Sequence, residues 1–478
     1  MRILYKIANK LFRIVKKILK LLTSRMVIIG VALLLEFCWL AGIVMQLNEK
    51  SVYINYAVTI LSLIAVLSII NNPKMNPGYK LMWAVCILAL PVTGICLYGI
   101  LGHSSVARKF RTHYDTVLLS QGGVLGEEEE TRKKLEEENI LAAGQSSYLT
   151  NYAHYPVYEN TETEYYPLGD VWFEHFIEEL KKAEHYIFME YFIVEEGFMF
   201  NSILSILEEK VKQGVEVRIM YDDMGSLGTL PASYAKQLEK KGIKAVSFNR
   251  ISPIINTIMN HRDHRKILVI DGKVAFSGGA NLADEYINKK VKHGHWMDNI
   301  ICIKGKAVWS YLVMFLTNWN ALRHEDFDYS VFKNEDVVDD TLFDGYIAPY
   351  AETPLDEELT GQSVYEDLLN SANKYVYIMT PYLIIDSEMI NTLIHTAKKG
   401  VDVRIIMPGI ADKKIVHDIG TTYYKQLIQG GVKIYEYEPG FVHSKVFICD
   451  DTYATVGTIN LDYRSLYLPV SYTHLRAH

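Results

Sequence analysis

From residue 183 onward the chain states one pattern twice. AEHYIF (183–188) returns as ANKYVY (372–377), KQGVEVRIMY (212–221) as KKGVDVRIIM (398–407), and YAKQLEKKGIK (234–244) as YYKQLIQGGVK (423–433). HRKILVIDGKVAFSGGAN (264–281) closes the series as HSKVFICDDTYATVGTIN (443–460). The offset falls only from 189 (372 less 183) to 179 (443 less 264), the mark of a duplication with small loop changes. Each copy alternates helical patterns with short β-branched runs such as VEVRIMY, which reads as βα units on a mixed sheet. The expected fold is therefore α/β: two duplicated domains with mixed sheets packed face to face, at 161–324 and 363–469. The acidic stretch 325–362 connects them.

What precedes the repeat is of another kind. Three apolar stretches, 26–46, 52–70 and 81–101, are each about long enough for a transmembrane helix, which needs roughly 20 residues. Residues 1–25 hold eight Lys/Arg and no acid, with Leu, Ile and Phe at helical spacing between them. This segment suits an anionic bilayer surface, or a solvated flank to the first span. Residues 102–160 read as a linker with a charge-rich helix. The basic start argues for a cytoplasmic N-terminus, whereas Arg108, Lys109 and Arg111 argue that the third span also ends inside, so the side stays open.

Net charge is −7, which leaves about −15 outside the first 25 residues (−7 less 8). So acidic a body is a poor general binder of nucleic acid. Five Cys without a CxxC pair indicate neither a disulfide framework nor a zinc site.

Both copies of the closing stretch share H-x-K-x4-D-x6-G-x-x-N. Alternate residues of a strand face the same way, so His264 projects with Lys266, and His443 with Lys445. Asp271 and Asp450 follow each strand at a turn. Gly279 and Asn281, with Thr458 and Asn460, fall in tight loops able to approach a small anion. A lone His on a strand is more often packed than catalytic, but two copies at identical spacing in a drifted repeat are not. The chemistry that needs this set is phosphoryl transfer at a diester. One His attacks phosphorus, the second moves the leaving and incoming protons, and Lys and Asn neutralise the phosphate oxygens. No metal or other cofactor is called for.

These residues resemble the paired HKD motifs of the phospholipase D superfamily. With the apolar start, GGANLADEY (278–286) and NLDYRS (460–465), the chain resembles bacterial cardiolipin synthases over nearly its whole length. The resemblance implies a multi-pass protein of the bacterial cell membrane that turns two phosphatidylglycerols into cardiolipin and glycerol. Its partners would be phosphatidylglycerol and anionic membrane lipids. It implies catalytic roles for His264, Lys266, Asp271, His443, Lys445 and Asp450, with His264 as nucleophile and His443 as acid/base. It also implies a carboxylate beyond each His that orients the ring, a supporting place filled by Asp298 in the first half. Glu190 and Tyr382 are read as lining the cleft or as core-edge packing, and His261, Asp263, His293 and His295 as rim. A phospholipase D hydrolysing to phosphatidic acid, a nuclease, and a non-catalytic scaffold are the rivals.

The second half departs from that pattern at its end. Pro469, Val470 and Ser471 stand where relatives carry the orienting Glu, and VSYTHLRAH reads back as a sequencing-adapter sequence. The expectation is a non-native tail at 470–478, one strand and one helix lost, a sheet edge unpaired, and His443 without its partner.

Overall fold

The computed structural model describes residues 25–44, 50–73, 75–102, 123–126, 128–249, 262–323, 325, 328–334, 343, 345–352, 358–467 and 472–477. The basic segment 1–24, His261 and residues 468–471 and 478 of the tail lie outside these. The chain divides into two units, Met1–Phe110 with Ile251–Met259, and Arg111–Arg250 with Asn260–His478.

The first unit holds helices α1 (Arg25–Val44), α2 (Lys50–Ile70), α3 (Pro77–Ala89) and α4 (Pro91–Leu97). Among the described residues one stretch, Val52–Ile70, is long and apolar enough to cross a bilayer. The span expected at 81–101 is not one helix. Pro91 has no N–H to give and its ring clashes with the preceding turn, so α3 ends at Ala89 and Pro91 opens α4. Glu36, on α1, is buried and accepts the N–H of Thr93 at 2.7 Å, which satisfies a first-turn amide of α4.

In the second unit the first half contributes β1 (Thr161–Tyr166), β2 (Tyr186–Tyr191), β3 (Glu216–Asp222), β4 (Lys244–Phe248), β5 (Lys266–Ile270), β6 (Val274–Gly278), β7 (His295–Met297) and β8 (Ile300–Gly305). Seven of these form one sheet in the order β1-β8-β6-β5-β2-β3-β4, parallel across β2-β3-β4 and antiparallel elsewhere. Its central strands, such as YIFMEY and KILVI, are buried along their whole length, so they read as apolar runs rather than alternations. Trp172 and Phe176 from a helix at Gly169–Lys182, and Ile203 and Leu207 from one at Phe198–Lys212, cover one face. On the other face lies the helix Val308–Arg323, buried from Val308 to Ala321, with Phe315 stacked on Phe188 of β2.

The second half repeats this with β9 (Tyr346–Ala351), β10 (Tyr375–Met379), β11 (Leu383–Ile384), β12 (Asp402–Pro408), β13 (Lys433–Tyr437), β14 (Gly440–Val442), β15 (Val446–Cys449), β16 (Tyr453–Gly457), β17 (Leu461–Asp462) and β18 (Tyr472–Ala477). The order β9-β18-β16-β15-β10-β12-β13 is the first sheet again, with β9 for β1 and β18 for β8.

Two segments read as connections are structural parts of this half. Residues 346–351, within the expected connection 325–362, form its outer strand β9. Leu135, Ala142, Ala143 and Leu149, within the expected linker, join its core through helices at Glu129–Glu138 and Ile140–Asn151. Small and apolar side chains on those helices make them core material despite the charges around them. The unpaired edge expected at the chain's end is also absent, because β18 lies between β16 and β9. In register Thr473 faces Gly457 as Ile300 faces Gly278. Counting back two residues, the sequence position matching Asp298 is Ser471, outside the described residues.

Candidate active site

The two halves meet through a strand pair that belongs to both. β7 and β14 run parallel, with His295, Trp296 and Met297 opposite Gly440, Phe441 and Val442. His443 follows at once, its N–H donated to the carbonyl of Met297 at 2.7 Å. Asn299 completes the junction: its Oδ1 accepts the N–H of Lys445 at 2.8 Å and its Nδ2 donates to the carbonyl of Gly457 at 3.2 Å.

This junction corrects the expectation about Asp298. Its Oδ2 accepts from Nδ1 of His443 at 2.8 Å, so the first half's carboxylate orients the second half's histidine. Trp296 Nε1 donates to the same oxygen at 3.2 Å, and the N–H of Asn299 to Oδ1 at 2.9 Å. Asp298 is fully buried, which alone would raise its carboxyl; His443, Lys445 and the Asn299 amide outweigh burial and hold it below its ordinary value. An ionised acceptor at Nδ1 fixes the tautomer and leaves Nε2 of His443 with a free lone pair. The ring lies among Tyr286, Trp296 and Phe441, with centroids 5.5, 5.4 and 5.9 Å away. Burial, with Lys445 beside it, lowers His443 to about 4 against the opposing pull of Asp298.

His443 is therefore not the histidine that lacks a partner. Among the described residues Nδ1 of His264 has none, although it is buried. Burial, then Lys266 and Lys445, depress His264 well below the usual range, and the charges of His443 and Arg464 add to this. Lys266 and Lys445, each 1% exposed, donate to the backbone carbonyls of His264 and His443 in turn. Burial pushes Lys445 down to about 7, and burial together with Lys445 pushes Lys266 well below its ordinary value. Two His–Lys pairs thus converge into one crowded basic site. Such a site is built for an anion and is incomplete electrostatically without one.

Several sequence-predicted site residues play other parts. Asp271 and Asp450, expected to be catalytic, lie away from the histidines: they sit at the far turn of each hairpin, at φ of +52° and +54°. Asp271 accepts the backbone N–H groups of Glu184, His185 and Tyr186 at 2.7–2.8 Å, and Asp450 those of Asn373, Lys374 and Tyr375 at 2.7–2.9 Å. Each anchors the start of the central strand beside it. Asp271→Ala is expected to cost about 3 kcal/mol of stability, the order for stranding buried donors of a carboxylate. Turnover of the folded fraction should change little, because the turn is roughly 20 Å of strand from His264. Unfolding midpoints beside kcat check this.

Gly279, expected to face phosphate, has its N–H spent within the fold. Its N–H goes to the carbonyl of Asn299 at 2.7 Å, and a Cβ there would stand 2.0 Å from Oδ1 of Asp298. It is glycine so that Asp298 can approach. Asn281 spends both ends of its amide, accepting from Ile193 N and donating to Tyr286 Oη, each at 2.9 Å. Thr458 is buried. Asn460 keeps a buried Oδ1 with no partner among the described residues, so of the loop residues it is the one left for ligand.

Asp263, read as rim, is fully buried, as is Glu190. Tyr382 stands by the cleft and donates to Asp412 at 2.6 Å. His295 contacts Tyr437 Oη at 3.0 Å, and the His293 ring lies 6.0 Å from Phe441, so both support the junction from outside. Sequence reasoning missed Asn299 and the aromatic group around His443. The one available signal was the presence of Trp296 and Asn299 beside Asp298 in HWMDN.

The comparisons agree with this geometry. A family profile described as the cardiolipin synthase, phospholipase D-like domain matches residues 176–313 and 365–471, one match for each half. A phospholipase D-nuclease N-terminal profile matches residues 60–103. An uncharacterised protein of Streptococcus mutans is 46% identical over 416 residues, 84% of this chain and 87% of that one. A cardiolipin synthase of Alkalihalophilus pseudofirmus is 33% identical over 413 residues, 85% of this chain and 81% of that one. The crystal structure of a phosphatidylserine synthase of Haemophilus influenzae, 16% identical, superposes over 70% of this chain and 86% of that one with a TM-score of 0.53, which speaks to the fold alone. A shared profile on both halves and relatives a third identical along most of the length make this chain a member of the phospholipase D-like cardiolipin synthase family.

Proposed function

We propose that the chain transfers a phosphatidyl group from one phosphatidylglycerol to another, giving cardiolipin and glycerol. The observation that carries this reading is the convergence of two His–Lys pairs on one site, with one histidine, among the described residues, clasped by a carboxylate. His264, held neutral, attacks phosphorus through a ring nitrogen, and the bond from phosphorus to the glycerol oxygen breaks. His443, which takes up a proton at Nε2 when the phosphodiester anion binds, gives that proton to the oxygen, so glycerol leaves and a phosphohistidine remains. His443 then takes the proton from the terminal hydroxyl of a second phosphatidylglycerol. Its oxygen attacks phosphorus, the P–N bond breaks, and His264 is regenerated. Lys266, Lys445 and Asn460 face the charge that builds on the phosphate oxygens. Asp298 stabilises His443 while it carries the proton.

We place the protein in the bacterial cell membrane as a multi-pass enzyme; α2 and the apolar helices beside it support that location. The test is to incubate membranes carrying the chain with labelled phosphatidylglycerol and to resolve the lipids. Cardiolipin with glycerol is expected. Phosphatidic acid instead would make it a phospholipase D, and unchanged lipid would make it a scaffold. His264→Ala and His443→Ala should each remove product.

A further inference from the structure

The two histidines are held by different means, and the difference lies behind His264. Asp263 accepts the N–H of Arg265 at 3.1 Å through Oδ1, so its side chain closes a turn around His264. Its own N–H goes to Oδ2 of Asp222 at 3.0 Å. Asp222, at the end of β3, also accepts from Met224 and Gly225 and lies 3.6 Å from Arg262. Glu190, on β2, accepts from Asn318 of the helix Val308–Arg323 at 2.7 Å and lies 4.0 Å from Arg265. The Asp263 carboxylate faces Glu190 within hydrogen-bonding reach. Glu190, Asp222 and Asp263 are all 0% exposed.

Among the described residues Oε2 of Glu190 and Oδ2 of Asp263 are buried without partners. Two orphan acceptors on facing carboxyls are one proton short of a hydrogen bond. If both acids were ionised, like charges would sit together in the core; with one protonated, O–H···O satisfies both. Burial, with Asp263 opposite, drives Glu190 well above the usual carboxyl range even against Arg265 and Asn318, so Glu190 is the member that keeps the proton.

None of this recurs in the second half. Glu190 faces Ile267 in the ladder where Met379 faces Val446, and Asp222 ends β3 where Pro408 ends β12. Arg262, Asp263 and Arg265 around His264 answer to Phe441, Val442 and Ser444 around His443. There the strand pair with β7 and the Asp298 carboxylate do the holding.

We propose that Glu190 and Asp263 share one buried proton and act as positioning residues for His264, fixing from the backbone a ring that has no side-chain partner at Nδ1 among the described residues. The proposal deepens the phosphatidyl-transfer reading and rests on it for its activity readouts; the proton itself is read without activity.

The infrared difference spectrum between the full-length protein and Glu190→Gln, at a pH where exposed carboxyls are ionised, should show the carbonyl stretch of a protonated carboxyl. No such band overturns the shared proton, even if the protein proves inactive on phosphatidylglycerol. In the lipid assay Glu190→Gln, which supplies the same neutral donor, should keep kcat within about threefold. The protein with Glu190 should lose kcat as alkali removes the proton, and Glu190→Gln should not lose it over that range. Glu190→Met leaves Oδ2 of Asp263 facing an apolar side chain, so Glu190→Met/Asp263→Val, copying Met379 and Val442, provides the folded comparison. That double variant should fold yet lose kcat by about 10²-fold with KM little changed, the scale of an angstrom's misplacement at a reacting group. A double variant that folds with full kcat overturns the positioning role.

Discussion

Asp298→Asn is expected to lower kcat by about 10³–10⁴-fold, the scale of losing the aspartate of an Asp–His pair. The size follows from how the carboxylate is spent. Oδ2 accepts from His443 Nδ1 and Trp296 Nε1, and Oδ1 from the Asn299 amide. An asparagine cannot satisfy all three. With its NH2 toward His443, the ring must present a lone pair at Nδ1 and carry its proton on Nε2, the wrong atom for the substrate. With its oxygen there, the NH2 meets the Asn299 N–H, and the negative charge that stabilises a protonated His443 is gone in either case. A substrate whose leaving group needs no proton, such as a nitrophenyl phosphodiester, separates the two histidines. Asp298→Asn should still release about one equivalent of nitrophenol in a burst, because attack by His264 does not pass through Asp298. Loss of the burst, or more than a tenth of normal turnover on phosphatidylglycerol, would assign Asp298 elsewhere.

What the sequence revealed and what it hid divide along a physical line. A duplication is visible because both copies must form the same strands, and the His-x-Lys pairs because chemistry requires both. Spacing alone cannot separate a repeated catalytic residue from a repeated structural one. Asp271 and Asp450 recur with the histidines because every copy of the hairpin must anchor its neighbouring strand. The partner of Asp298 was hidden for another reason: it lies 145 residues away, across a contact between halves that no local pattern encodes. The Glu190 and Asp263 pair was invisible to a search for repeats because it exists once. The break at Pro91 was legible, since a proline inside a helical run lacks the donor the next turn needs. Reading the apolar run by length alone passed over it.

The pairing of four basic groups in one buried site sets the second large effect, on pH and affinity. In the free protein His443 stands at about 4 and Lys445 at about 7, with His264 and Lys266 also well below their ordinary values. Burial is the leading cause at each; neighbouring cations deepen it at His264, Lys266 and His443, while Asp298, Asp462 and Asp412 oppose it at Lys445. A phosphodiester anion beside them raises these values, so the complex binds more protons than the free protein. By linkage, the Lys445 share of the affinity is full below its free value and falls as pH rises above about 7, by up to tenfold per unit for the one proton it takes up. A phosphonate analogue of phosphatidylglycerol that cannot be cleaved tests this in the reconstituted full-length protein. Calorimetry in two buffers of different ionisation enthalpy should show uptake of about one proton above pH 7. Lys445→Met should lose most of both the uptake and the pH slope while keeping a weaker, flatter affinity through Lys266. Equal affinity across that range without uptake would mean that Lys445 stays charged in the free protein, and that the charge balance around the two histidines does not depend on the substrate.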